Sequence, residues 1–158
     1  NPILQTIVGP AEEHTNLVGP PTEAGIVRLL NGRAPGLLRN VYCHSAGGGR
    51  RLVILQFAGR SGQYDRSPMD AARAVMAAFS NLTPAVLVDD DVSIFDASDV
   101  LWAMTVRLLG RIERVAGGAS GAPRLIFDCT APFALRASHR RPEFVMVSPE
   151  RFNASQPA

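Results

Sequence analysis

The sequence contains no lysine, since all 16 of its basic residues are arginine. The missing amine excludes Schiff-base chemistry, a P-loop and a phosphoacceptor domain, each of which needs a lysine. No apolar run approaches the roughly 20 residues of a membrane-spanning helix, so we expect no membrane contact. The net charge is only +2, the aromatic fraction is 6% and the arginines are scattered. A phosphate-binding groove with stacking aromatics is therefore not expected, and neither is a nucleic-acid partner.

Cysteine is scarce as well. Cys43 and Cys129 lie far apart and outside any CxxC motif, so we expect two free thiols in a reducing cytoplasm. The sequence has no HExxH, no GxSxG and no Cys/His ligand cluster. It starts at Asn1 rather than Met and shows no basic region followed by an apolar stretch. We therefore expect no secretory signal, and a chain that is processed or part of a longer protein.

Hydrophobic residues make up 46% of the 158 residues and charged residues 19%, which is typical of one globular domain. Ser67-Pro68 predicts a helix start, because Ser caps the helix and Pro fits its first position. Asp96 predicts another start, and Gly110 the end of that helix. The predicted elements are a helix at 22–31, strands at 37–45 and 51–58, a helix at 67–81, a strand at 85–88, a helix at 96–110 and a strand at 125–127.

This order of elements predicts an α/β fold with a mixed, mostly buried sheet flanked by helices. Glycine-proline breakers predict an irregular N-terminal arm over residues 1–20. The predicted domain spans 21–133, and a C-terminal tail follows at 134–158. Within the domain, the glycine-rich stretch 111–123 is predicted to be a loop.

Three consecutive carboxylates, Asp89, Asp90 and Asp91, follow the predicted strand at 85–88. Ligands of open α/β sheets gather at this end of the strands, and carboxylates suit Mg²⁺. Acidic residues in such a turn also bond to nearby backbone and shape the loop. Nothing adjacent completes a coordination shell, which favours the second interpretation. A small, independent enzyme that uses a divalent metal at Asp89–Asp91 is kept as an alternative function.

The positions of the three histidines do not by themselves indicate a functional site. His14 follows two glutamates, where an imidazole is able to act as an acid or base or simply to pair at the surface. His44 adjoins Cys43, but neighbours in a strand point to opposite faces, so no Cys/His pair is expected. His139 lies among arginines and is expected to be exposed.

The predicted helix over 97–109 carries more apolar residues than one buried face needs. Trp102 and Met104 are among them, and such residues are enriched at protein interfaces. The sequence therefore predicts a homodimer or higher oligomer through this helix and its neighbours. A stand-alone interaction module is a further alternative function.

Three stretches occur in an order and spacing that match one family. The first comprises Asn1-Pro2-Ile3-Leu4-Gln5, Gly9, Glu12-Glu13-His14, Gly19 and Glu23-Ala24; the second Val88-Asp89-Asp90-Asp91-Val92-Ser93-Ile94-Phe95-Asp96, Asp99-Val100-Leu101-Trp102-Ala103 and Arg107; the third Ile126-Phe127-Asp128-Cys129-Thr130. Together they resemble the C-terminal domain of UbiD-like decarboxylases, with Cys129 in place of the family's usual Ala. The Asp-rich to Trp-Ala run is the most specific of the three.

The resemblance implies a reaction, and it implies that this reaction takes place in a different domain. Family members reversibly decarboxylate aromatic, heteroaromatic or α,β-unsaturated carboxylic acids on a prenylated FMN, with a divalent metal and a monovalent cation. These groups and the catalytic residues belong to a preceding flavin-binding domain, which this sequence does not include. The resemblance thus implies a fragment or small subunit that helps the enzyme to oligomerise and closes its active site. It implies no catalytic, flavin-binding or metal-binding residue in this chain.

Two residues match substrate-contacting positions of the family, His14 and Val18. An imidazole at His14 would donate a hydrogen bond to a carboxylate or ring oxygen. Val18 would supply an apolar wall that excludes water. The expected partners are a second copy of the chain and the flavin-binding decarboxylase domain.

Overall fold

A computed structural model of the protein describes residues 12–58, 67–117 and 123–142. Its helices and strands are α1 (Glu12–Arg33), β1 (Leu38–Cys43), β2 (Val53–Phe57), α2 (Ser67–Ala78), β3 (Pro84–Asp89), α3 (Ala97–Arg107), β4 (Ile112–Val115) and β5 (Arg124–Asp128), with 3₁₀ turns at Ser45–Gly47 and Phe133–Leu135. The predicted α/β fold is confirmed. In the part of the chain that the structure describes, no helix is long and apolar enough to cross a membrane.

The five strands form one mixed sheet in the order β1-β2-β3-β5-β4. The central strands β2, β3 and β5 are parallel, with Val53 opposite Ala85 and Ala85 opposite Ile126. The outer strands β1 and β4 are antiparallel to their neighbours. All five residues of β2 are buried, as expected for a strand that is covered on both faces.

Helices cover both faces of the sheet. Ile26 and Leu30 of α1 pack on one face together with Val75 and Met76 of α2. On the other face, α3 packs through a smaller cluster that includes Val100 and Ala103. The domain therefore has three layers, with α1 and α2 on one side of the sheet and α3 on the other.

Local signals set most element boundaries correctly. Asp96 accepts a hydrogen bond from the backbone N–H of Ser98 at 2.8 Å, which confirms its predicted role as N-cap of α3. That helix ends at Arg107, slightly before its predicted end. The chain then leaves through positive φ values of 44° at Leu109 and 76° at Gly110, the second of which favours glycine.

Helix α1 is a correction to the predicted N-terminal arm. The described part of that arm, from Glu12 onwards, is helical, so α1 begins ten residues before the predicted start at 22. Pro20 and Pro21 lie inside the helix instead of ending the arm. Thr22, at the predicted start of the helix, donates its hydroxyl to the carbonyl of Val18 at 2.8 Å. Tertiary packing of the helix, described below, outweighs the local breaker signal.

Strand β4 is a second correction, because its four residues fall in the predicted loop 111–123. Ile112 pairs with Phe127 and Val115 with Arg124 of β5. Four residues are too few to show a clear alternation of apolar and polar side chains. The open edge of β5, the next strand along the chain, supplies the hydrogen bonds that make this segment a strand.

The predicted tail is ordered in its first part. Residues 136–142 contact the domain through arginine side chains and a backbone carbonyl. The rest of the predicted tail, 143–158, lies outside the described residues, as does most of the predicted arm, 1–11.

Candidate functional site

The two regions that the sequence singled out lie at opposite ends of the sheet. Asp89 is the last residue of β3, at the end where the parallel strands finish, which we call the carboxyl end. Cys43 pairs with Val53, the first residue of β2, at the other end, which we call the amino end. Helix α1 meets the sheet at this amino end, since Glu23 bonds to the backbone of Cys43.

His14 and Val18 occupy the first two turns of α1 and are one helical turn apart. Val18 is half-buried. Beside it, Leu17 leaves 72% of its surface exposed. The start of α1 therefore presents apolar surface at the amino end of the sheet, and it does so next to the position of His14.

The middle of α1 contacts the end of β1 and the β1–β2 connection. Gly19 is buried, and a Cβ there would lie 3.8 Å from the Cα and carbonyl oxygen of Gly49. One turn further on, Glu23 Oε1 accepts the backbone N–H of Cys43 at 2.7 Å. Residues 12–18 precede both contacts and extend past the amino end of the sheet.

The Asp run at the carboxyl end is held by arginines. Arg107 donates to both carboxylate oxygens of Asp91, at 2.8 and 2.5 Å. Arg136 donates to Asp90 at 2.6 Å. Asp89 accepts the backbone N–H of Ala131 at 2.7 Å, which joins β3 to the turn after β5.

These bonds favour the interpretation of the Asp run as a shaped turn. A cation at this place would have to displace guanidinium groups that already occupy the carboxylate oxygens. Residues 12–58, 67–117 and 123–142 contain no group of three or more His, Cys, Asp or Glu side chains placed to share a metal ion. Burial opposes ionisation of Asp91, but its hydrogen bonds from Arg107 and the Arg141 backbone outweigh this and lower its pKa.

Trp102 lies between two arginines. The guanidinium carbons of Arg107 and Arg141 are 4.9 and 4.8 Å from its ring centroid, within the range of cation–π attraction. Arg141 also donates to Asp99 at 2.6 Å. The sequence pattern places Trp102 at a protein interface and gives no sign of this arrangement, because Arg141 is 39 positions away.

A cavity of about 460 Å³ opens at the carboxyl end. Much of its polar lining is already paired: Arg73 donates to Glu113 at 2.8 and 2.6 Å and to Asp70 at 2.6 Å. Arg111 donates to Asp128 at 3.1 Å and to the carbonyl of Thr130. Among the described residues, the buried Nε of Arg111 has no hydrogen-bond partner, so the cavity offers few free donors to a ligand.

The two cysteines are buried and free, as predicted. Burial raises the pKa of the Cys43 thiol to about 12, and nearby Glu23 contributes. Burial and the charge of Asp128 raise the pKa of Cys129 to about 12. His44 caps the 3₁₀ turn by accepting the Ala46 N–H at Nδ1, 3.0 Å away.

The fold and site define a three-layer α/β domain whose aspartates at the carboxyl end are engaged in ion pairs with arginines. Residues 15–111 match the sequence model of the 3-octaprenyl-4-hydroxybenzoate carboxy-lyase C-terminal domain. The chain therefore belongs to the UbiD family of decarboxylases, as a C-terminal domain.

Known proteins agree with this assignment. Gallate decarboxylase from Lactiplantibacillus plantarum is 33% identical over 94% of this chain and 35% of its own length. The apo structure of 3,4-dihydroxybenzoic acid decarboxylase from Klebsiella pneumoniae is 39% identical, with a TM-score of 0.80 over 94% of this chain and 35% of that one. The chain thus spans about a third of the length of these relatives.

A more distant structure shares the fold alone. It is an evolved dimeric form of the UbiD-class enzyme HmfF from Pelotomaculum thermopropionicum, in complex with prenylated FMN. Its identity is 21% and its TM-score 0.71, over 87% of this chain and 29% of that one.

Proposed function

We propose that this chain is the oligomerising and active-site-closing part of a decarboxylase that acts on hydroxylated aromatic acids. The support is the match to the family together with the names of two relatives, which act on gallate and on 3,4-dihydroxybenzoic acid. In this proposal the chain does not catalyse by itself, and it works in the cytoplasm.

The start of α1 is the observation on which the proposal depends. Its first two turns extend past the sheet, leave Leu17 largely exposed and contain both substrate-facing candidates, His14 and Val18. In the proposal, this apolar surface closes over the substrate and excludes water. His14 donates a hydrogen bond to the carboxylate or to a ring hydroxyl of the acid, and Val18 packs against the ring.

The flavin is assigned to a separate domain. Among the described residues, the groups that could hold it are largely engaged: the carboxylates at the carboxyl end are bound to arginines, and the cavity there is lined mostly by paired side chains. Prenylated FMN, when bound in that other domain, supplies the electron sink for loss of CO₂. This chain's residues orient the acid and exclude water, and we assign no metal ion to them.

The experiment is a pair of substitutions in the flavin-loaded protein that contains this chain. His14→Ala is expected to lower kcat/KM for 3,4-dihydroxybenzoate or gallate by roughly 10- to 100-fold, because a hydrogen bond that orients the substrate is lost. The kcat/KM of Val18→Ala is compared with that of Val27→Ala. This control removes the same atoms from a partly exposed position two turns further along α1. Equal activity of His14→Ala and wild type would overturn the proposed role.

We also propose that the outer face of α3 forms a contact with a second copy. Its inner face is buried through Val100 and Ala103. The exposed apolar residues are Leu101 and Val106 on α3 itself, at 61 and 39%, and Phe95, Leu109 and Ile112 on the segments that flank it, at 71, 61 and 49%. Such a group of exposed apolar side chains is typical of a protein interface.

A further inference from the structure

Helix α1 changes its surroundings at Gly19. After this residue the helix packs on the sheet, where Ile26 and Leu30 are fully buried. Before it, residues 12–18 extend beyond the amino end, so that position 14 lies about 7 Å further along the helix axis than Gly19. Whatever fixes the helix near Gly19 therefore fixes the direction in which its first turns project.

Helix α1 lacks two backbone hydrogen bonds directly after Gly19. Pro20 and Pro21 have no backbone N–H, so they cannot donate to the carbonyls of Asn16 and Leu17 one turn earlier. Thr22 donates its hydroxyl to the carbonyl of Val18, a side-chain bond that does not replace the two missing backbone bonds. With two ladder bonds missing, the first turns depend on contacts outside the helix for their orientation.

Glu23 supplies a contact outside the helix. It lies one turn after Gly19, at the beginning of the part of α1 that packs on the sheet. Its Oε1 accepts the N–H of Cys43 at 2.7 Å, on β1, one of the two edge strands of the sheet. A hydrogen bond to a charged acceptor is stronger than one between neutral groups. Gly19, one turn before Glu23, packs at close range on Gly49 at the same end of the sheet.

We infer that Glu23 is a positioning residue that holds the His14–Val18 turns in their productive orientation through its bond to the Cys43 amide. This inference rests on the proposed function, because it takes residues 14 and 18 to face the substrate. Glu23 itself touches no reacting atom. It acts by fixing the part of α1 from which those turns extend.

The test compares Glu23→Leu, which removes the acceptor, with Glu23→Gln, which keeps a carbonyl oxygen at the same place. In the 158-residue chain, the NMR amide signals of residues 14–18 and of Cys43 are expected to shift in Glu23→Leu and to stay close to wild type in Glu23→Gln. In the flavin-loaded protein, Glu23→Leu is expected to lower kcat/KM by roughly 10- to 100-fold, and Glu23→Gln to rescue it.

A double variant separates this inference from the proposed function. If Glu23 acts through His14, then Glu23→Leu costs little further activity once His14→Ala is present. If His14→Ala lowers activity and Glu23→Leu does not, the inference is wrong and the proposed function stands. If His14→Ala has no effect on activity, the proposed function fails. The positioning role is tested separately: unshifted amide signals of residues 14–18 in Glu23→Leu would overturn it.

If Glu23→Leu does not fold, the bond is tested by measuring amide hydrogen exchange in the wild-type chain. The amide of Cys43 in the wild-type chain is expected to exchange slowly, because Glu23 occupies it. Exchange as fast as that of an unpaired edge-strand amide would show that the bond is absent and would overturn the inference.

Discussion

Arg107 and Asp91 form a two-pronged ion pair, with Nη1 and Nη2 of the arginine 2.8 and 2.5 Å from the two carboxylate oxygens. Arg107 is only 1% exposed, although it lies on the last turn of α3. Its Nε donates to the carbonyl of His139 at 2.8 Å. One side chain thus joins α3, the turn after β3 and the segment that follows β5.

Loss of this arginine should be costly. Arg107→Met removes the charge and the forked donors, leaving Asp91 half-buried without its cation, and we expect the free energy of unfolding to fall by about 3–5 kcal/mol. Urea denaturation measures it. Arg73→Met is the control, since Arg73 forms an exposed ion pair with Glu113 and should cost at most about 1 kcal/mol. Equal effects of the two substitutions would contradict this assignment.

The pKa of Asp91 predicts how stability changes with acidity. Because the folded state lowers this pKa below its usual 3.8, ionised Asp91 stabilises the fold at all pH values above that. This contribution is lost as the pH falls from about 4 through the lower, folded-state value. Thermal unfolding between pH 5 and pH 2 should therefore show a smaller acid-induced drop in Asp91→Asn than in wild type. The same drop in both proteins would assign acid sensitivity to other groups.

The thiols should be inert while the protein is folded. Both cysteines are buried, and a pKa of about 12 leaves almost no thiolate at pH 8. A thiol reagent such as DTNB should label neither residue in native protein and both in guanidinium chloride. Rapid labelling of native protein would show that Cys43 or Cys129 is accessible.

Assembly through α3 is tested best at Leu101. This residue is 61% exposed and has its side chain on the outer face, so Leu101→Glu should disrupt a dimer without disturbing the core. Trp102→Arg is a poorer test, because it would place a third cation beside Arg107 and Arg141. Light scattering should give a mass near twice 16.9 kDa for the wild-type chain and a monomer for Leu101→Glu. A monomeric wild-type chain would contradict the proposed contact between two copies.

Elements with strong local signals could be predicted from the sequence. Ser67-Pro68 and Asp96 marked helix starts correctly, and the apolar run at 85–88 marked β3. Helix α1 and β4 could not be predicted in the same way. The Gly19 contact with Gly49 and the pairing of Ile112 with Phe127 join residues distant in sequence, and they outweigh breaker residues and a short pattern.

The site was harder to predict than the fold. The sequence favours a shaped turn over a metal site for the run of three aspartates, but it does not identify the residues that engage the run, because Arg107 and Arg136 have no local pattern. Arg124 gave no signal either, although its buried guanidinium donates to carbonyls that include those of Leu82, Gly117 and Phe79. Ion pairs and caps of this kind depend on tertiary structure, whereas the candidates His14 and Val18 came from family resemblance.

The most direct test is the absorbance spectrum of the protein that carries this sequence, purified gently from the cells that make it. A flavin-dependent decarboxylase should give a coloured preparation, with prenylated FMN in stoichiometric amount and in an assembly that contains this sequence. It should also release CO₂ from 3,4-dihydroxybenzoate or gallate. A colourless 16.9 kDa chain, with no flavin-binding partner and no such activity, would contradict the proposed function.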